Sequence, residues 1–164
     1  MKVKVKKIDE AAKIPFKKFN DDFCYDCVAT SCEEIAPNIY KYGIGLAFQI
    51  DRDKESPFAP VLKRDRNGLL HIFEAWQLSI DARPRSSVWE HGMVLSNCEG
   101  TIDELFTGEV SAVFYHIFPN MPKYEVGEKI IQIKLGFTLP MDFTEVDKLD
   151  ETARGSNGYG STGR

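Results

Sequence analysis

An all-β domain is the fold class predicted by this sequence, and three observations predict it. Short apolar runs recur at period two, as in Ile44, Leu46, Phe48 and Ile50, which puts those side chains on one face of a strand. Turn formers such as Asn67-Gly68, Gly100, Gly108 and Gly127 follow at short intervals and separate the runs into strand-length pieces. Nowhere is the apolar period of a long helix sustained. Short strands with frequent turns close into a sandwich, a jelly roll or a barrel.

At 164 residues the chain fits one domain, a size that buries roughly two-thirds of its unfolded surface without disulfides or metal. Its 21 basic and 25 acidic residues create no global field for nucleic acid or an anionic membrane, so any phosphate must be met locally. Residues 1–7 (MKVKVKK) lack the apolar core of a signal peptide, and no uninterrupted apolar run is long enough to span a bilayer. The expectation is a cytoplasmic protein that binds neither nucleic acid nor membrane.

The alternating Lys and Val of residues 1–7 predict a strand with one lysine-coated face, which blunts an edge against aggregation. Cys24, Cys27 and Cys32 form a C-x2-C-x4-C pattern with Cys98 far away, so a zinc or iron–sulfur site has to be weighed. No second close pair or nearby histidine completes it, and on a strand Cys24 and Cys27 point to opposite faces. Free, mostly buried thiols in a reducing compartment are the better reading.

Residues 41–50 predict a half-buried strand. Between 51 and 68 the pattern fails, with mixed charges, Pro57, Pro60 and the Asn67-Gly68 turn, before the apolar residues 69–73. An inserted loop or an extra hairpin fits that stretch. Residues 77–83 alternate again and run into Pro84-Arg85-Ser86-Ser87. Arg85 can make paired hydrogen bonds to phosphate oxygens and the serines can add short ones, although a plain polar turn has the same composition.

Residues 97–110 place one acid, Asp103, between Gly100 and Gly108 on an apparent hairpin, with Phe106 three residues further on. An acid, a ring and exposed backbone amides can hold a flat base and a sugar; the same residues also make an ordinary hairpin with a solvated carboxylate. Residues 129–135 predict a strand with Ile131, Ile133 and Leu135 on one face and Gln132 on the other. The tail, 153–164, has four glycines and a single large apolar residue, Tyr159, and is expected to be mobile. Arg154, Ser161, Thr162 and the glycine amides, among them that of Gly160, can wrap an anion, while Tyr159 can stack on a base. His71, His91 and His116 are scattered without metal-binding spacing, and no Ser or Cys has an identifiable partner base. Hydrolysis would therefore use a carboxylate and water.

Taken in order, these segments resemble the five motifs of the homotrimeric dUTP pyrophosphatase (dUTPase) family. Tyr25-Asp26 falls in the first motif, Pro84-Arg85-Ser86-Ser87 is the second, 97–109 the third, 127–132 the fourth and 154–163 the fifth. The likeness runs from about residue 23 to the end, apart from the stretch near 51–76. It implies a jelly-roll or distorted-barrel subunit over 1–153 with an insertion near 51–76, and an arm, 154–164, that closes over an active site. It also implies a homotrimer with shared sites that hydrolyses dUTP to dUMP and pyrophosphate, with Mg2+ held mainly by the triphosphate.

By the same resemblance Asp103 deprotonates the water that attacks the α-phosphorus. Asn97 and the backbone of Gly100, Thr101, Ile102 and Ser111 hold uracil. Phe106 stands where the family usually has Tyr, its ring set against C2′ so that a ribose hydroxyl has no room. Arg85, Ser86, Ser87 and Gln132 contact phosphates, and Asp26 acts around the metal's water shell. Tyr159 stacks on the base, with Arg154, Gly160, Ser161 and Thr162 around the γ-phosphate. Glu90, Cys27, Thr107 and Asn157 depart from the pattern without removing a catalytic group. The related dCTP deaminases need a glutamate on the strand after the third motif, where this chain has Val113. A nucleotide-binding regulator without turnover is the remaining alternative.

Overall fold

The computed structural model describes residues 2–52, 61–64, 67–68, 70–73 and 77–156. Among them are strands β1 (Lys2–Lys7), β2 (Tyr25–Val28), β3 (Ser31–Ala36), β4 (Ile39–Gly43), β5 (Leu46–Asp51) and β6 (Val61–Arg64). They continue as β7 (Leu70–Phe73), β8 (Gln77–Pro84), β9 (Met93–Leu95), β10 (Gly100–Asp103), β11 (Ser111–His116) and β12 (Lys129–Thr138). A short 3-10 helix, Ser86–His91, follows β8. Two four-stranded sheets, β10-β8-β12-β2 and β3-β4-β11-β9, carry the architecture, with β1-β5 and β6-β7 as two-stranded pairs. Every pairing is antiparallel.

Period-two alternation decides what enters the core. Leu78, Ile80 and Ala82 of β8 are buried, as are Ile131 and Ile133 of β12, and the register Ile131↔Pro84, Ile133↔Ala82, Leu135↔Ile80 brings the two inner rows side by side. A register shift between Lys129 and Ile131 lets Ile130 and Ile131 both be fully buried. Opposite them lie Tyr40 and Tyr42 of β4 and Ala112 and Phe114 of β11. Tyr42, Phe114 and Tyr124 meet edge to face with centroids 5.5–6.2 Å apart, a favoured arrangement of ring quadrupoles. The Tyr42 hydroxyl donates to the Tyr124 carbonyl at 2.8 Å, which pins the loop before β12.

The strand expected over 41–50 divides at Ile44-Gly45, where Gly45 has φ +65 and the chain passes from β4 to β5. Ile44, Leu46, Phe48 and Ile50 are nevertheless all buried. β1 pairs with β5 and its lysines are exposed. The thiols depart from expectation: Cys27 is buried, but Cys24 is half-buried and Cys32 and Cys98 are exposed. Cys32 lies on β3, whose side chains are almost all exposed, and Cys98 sits in a tight turn with φ 58. Burial, with the Asp26 charge second, pushes the Cys27 thiol up to about 12, so it is inert.

The hairpin expected over 97–110 is not formed. β10 pairs with β8, while β11 pairs with β4 and β9, so residues 104–110 carry the chain from one sheet to the other. Val110 is tied to the β4–β5 corner: its N–H donates to the Leu46 carbonyl at 2.9 Å and its carbonyl accepts from Ile44 at 3.2 Å. A cleft is left open between β10 and the β9–β11 edge. Within the stretch near 51–76, β6 and β7 pair with Val61 opposite Phe73. Among the described residues no helix is long and apolar enough to cross a membrane.

Candidate active site

The cleft has a volume of about 290 Å³ and is lined by Asn97, Gly100, Thr101, Ile102, Asp103, Phe106 and Ser111, together with Ala82, Leu95, Glu109 and Val113. Its floor is built by β10, whose residues pair Gly100↔Ala82, Thr101↔Asp81, Ile102↔Ile80 and Asp103↔Ser79 with β8. Ile102 turns inward onto the core, and Asp103 is exposed at the end of the ladder. The Phe106 N–H donates to the Asp103 carbonyl at 3.0 Å, closing a tight turn that presents both side chains from one short segment.

Two glycines are needed here for close approach. A Cβ on Gly108 would lie 2.7 Å from the tip of the Phe106 ring, so the ring rests on bare backbone. A Cβ on Gly100 would come within 3.3 Å of the Asn97 amide nitrogen, so Gly100 leaves room for that side chain. Glu109 at the rim accepts from the Gly45 N–H at 2.9 Å. Glu109 and Val113 were not among the expected binding residues. Their place in the cleft depends on the crossing between sheets, which local patterning does not reveal.

A second cluster gathers at the other end of the β10-β8-β12-β2 sheet. The Asp26 carboxylate, 16% exposed, accepts from Arg85 Nε at 2.9 Å and from Lys129 Nζ at 2.9 Å. Gln132 is opposite Asp26 on β2 and Arg83 on β8, and its Nε2 donates to the Pro84 carbonyl at 3.1 Å. Ser86 and Ser87 open the 3-10 helix directly after Arg85, which is extended at φ -78, ψ 157. One guanidinium N–H of Arg85 faces Asp26, and its fork has donors to spare for an anion. Lys129 is a cation of this cluster that spacing did not single out.

Between the clusters, on the outer face of the sheet, Asp81 accepts from Ser79 Oγ at 2.8 Å and from Lys134 Nζ at 2.5 Å. Burial alone would raise the Asp81 carboxyl, but the bonds from Lys134 and Ser79 and the charges of Lys134 and Arg83 hold it below the usual carboxylate range. The two clusters do not meet in one chain. Asp103 faces Ser79, whereas Gln132 lies two strands away and faces Arg83, four residues further along β8. Strand rise and spacing put their Cα atoms about 16 Å apart. Arg154 is exposed, and Tyr159, Gly160, Ser161 and Thr162 lie outside the described residues.

No protein-family model matches the chain. Two curated relatives align over nearly all of it. A deoxyuridine 5'-triphosphate nucleotidohydrolase of Clostridium novyi is 32% identical over 164 residues, covering 99% of each chain. One of Gloeothece citriformis is 30% identical, covering 99% of this chain and 97% of its own. Among solved structures, the dUTPase of Staphylococcus bacteriophage 80alpha with dUPNHPP superposes with a TM-score of 0.71 at 16% identity, over 99% of both chains. The dUTPase of phage phi11 of S. aureus superposes with a TM-score of 0.64 at 13% identity, over 93% of this chain and 100% of that one. The structural matches establish the all-β fold, and the full-length relatives establish the lineage: the chain belongs to the deoxyuridine 5'-triphosphate nucleotidohydrolase (dUTPase) family.

Proposed function

We propose that the protein is a dUTP diphosphatase that hydrolyses dUTP to dUMP and pyrophosphate, lowering dUTP and supplying dUMP. The observation that carries this reading is the cleft itself, in which one short segment offers an exposed carboxylate, Asp103, beside a ring, Phe106, and the backbone of β10. Uracil lies against Asn97 and the main chain of Gly100, Thr101, Ile102 and Ser111. A backbone edge matched to its carbonyl leaves an unpaired N–H against the 4-amino group of cytosine. The Phe106 ring, seated on Gly108, closes the space at C2′. Asp103 orients a water and accepts its proton as the oxygen attacks the α-phosphorus, and pyrophosphate departs. Arg85, Ser86, Ser87 and Gln132 meet the phosphate charge.

Mg2+ is a hard ion that takes oxygen ligands and retains several waters. Both oxygens of Asp26 already accept from cations, and among the described residues no group of three or more His, Cys, Asp or Glu can hold a metal ion. That donor set fits an ion carried by the triphosphate and met by Asp26 through its water shell. When bound, the ion neutralises charge on the phosphate oxygens. A phage phi11 dUTPase coordinates a structural Mg(II) ion.

The distance between the clusters supports a homotrimer with shared sites. Base, water and phosphates belong to one nucleotide, so a separation of about 16 Å along the sheet favours Asp103 of one copy working with Arg85 and Gln132 of another. Leu139, Met141, Phe143, Val146 and Leu149 are all exposed within eleven residues, which suits a segment covered by a neighbouring copy. The arm, 154–164, then closes over a site and excludes bulk water.

Incubating purified protein and Mg2+ with each nucleoside triphosphate tests the reading. Pyrophosphate and dUMP from dUTP are expected; ammonia from dCTP would instead indicate a deaminase, and binding without product a regulator. Val113 in the wall of the cleft argues against deamination, because valine cannot supply the acid that reaction needs.

A further inference from the structure

The residue immediately after Asp103 is held by a side chain from a distant part of the chain. Arg52, directly after β5, donates from Nε to Glu104 Oε1 and from a terminal nitrogen to Glu104 Oε2, both at 2.5 Å. Glu104 is the first central residue of the turn closed by the Phe106 N–H to Asp103 carbonyl bond. The two-pronged contact therefore grips the turn between the acid and the ring. A guanidinium fork on a carboxylate fixes direction as well as distance, which a single hydrogen bond does not.

The rest of this crossing explains why the grip matters. Residues 104–110 run alongside β5 in the opposite direction. Their far end is docked by the Val110 bonds to Ile44 and Leu46 and by Glu109 on Gly45. At their near end β10 has finished its ladder at the Asp103↔Ser79 pair, and Leu105 is 91% exposed. The Arg52–Glu104 contact completes the docking at that end. Side chains exposed by 30% and 24% form a pair of small value to global stability. Its consequence is local, at the turn that carries Asp103 and Phe106.

We infer that Arg52 and Glu104 are positioning residues for the hydrolysis, clamping the Asp103 turn to the end of β5. This rests on the reading of Asp103 as the base for dUTP hydrolysis. The clamp also joins the turn that carries Asp103 to Arg52, at the root of the stretch near 51–76.

Steady-state kinetics of Arg52→Met, Glu104→Gln, Arg52→Lys and the double variant Arg52→Met/Glu104→Gln test the inference, with wild type and Asp103→Asn alongside. Misplacing an oriented base by a fraction of an ångström costs about tenfold or more, so each single removal should lower kcat on dUTP by about tenfold. KM should stay within about threefold, because the phosphate and base contacts are untouched. Arg52→Lys keeps the charge without the fork and should fall between wild type and Arg52→Met. The double variant should be no slower than either single change, as members of one pair are not additive. Melting midpoints should stay within about 4 °C of wild type, which separates positioning from unfolding. Wild-type kcat in Arg52→Met, or losses that multiply in the double variant, would overturn the clamp. Failure of wild type to turn over dUTP would instead remove the reading on which it rests.

Discussion

Asp103 makes no ion pair among the described residues, whereas Asp26 and Asp81 are each engaged by lysine or arginine. A carboxylate left open at the end of a ladder is available to a water; one tied to two cations serves chiefly to hold them. Asp103→Asn preserves shape and removes the proton acceptor, so kcat should fall by roughly 10²-fold or more while dUTP affinity stays within about tenfold. Near-normal turnover would reject the assignment. In the proposed site Phe106 acts by shape. With Phe106→Ala the discrimination between dUTP and UTP should narrow by about tenfold, since the 2′-hydroxyl gains the space of the ring. The ratio of kcat/KM values for the two nucleotides checks this, and an unchanged ratio would assign sugar selection to another group. The presence of Asp103 and Phe106 in one segment was legible in the sequence, because they are three residues apart. Arg52 was not, since nothing in local spacing relates it to Glu104.

At the scale of elements, the pairing of β8 with β12 is what sets the two clusters at their separation. That pairing carries its own polar lock. Asp81 and Ser79 lie over Gly136, where a Cβ would stand 2.4 Å from Asp81 Oδ2 and 2.5 Å from Ser79 Oγ. Lys134→Met would leave the buried Asp81 carboxylate without its main partner, at a cost of about 2 kcal/mol. The same pair makes stability depend on pH. The folded-state value of Asp81 is depressed, so its contribution is complete above the ordinary carboxylate value of about 3.9 and is lost as pH falls through the lower folded value. Asp81→Asn should therefore flatten the acid limb of a denaturation profile, and an unaltered limb would contradict this role. Strands such as β8 and β12 were legible because period-two burial marks them directly. The crossing of 104–110 was not, because the glycines and strand formers of a hairpin also suit a passage between sheets. Which strand β10 joins is decided by packing: Ile102 faces Ile80 and joins the core.

For the whole molecule, the all-β class was legible in turn spacing and in the absence of a helical period. The distribution of the site was not readable from composition, because distance between motifs in sequence says nothing about their distance across a sheet. Register supplies that distance. If Asp103 and Arg85 act on one nucleotide while lying at opposite ends of one sheet, each site takes them from different copies. On the proposed homotrimer, the Asp103→Asn and Arg85→Ala proteins should each be poor, and equal mixing by unfolding and co-refolding should restore sites that take Asp103 from one chain and Arg85 from the other. For random assembly and pairwise sharing, about a quarter of the sites are complete. Recovery of about a quarter of wild-type dUTP turnover in the whole refolded mixture, with the mixed trimers in it verified by mass, is the predicted result; a mixture no more active than its parents would contradict the shared site.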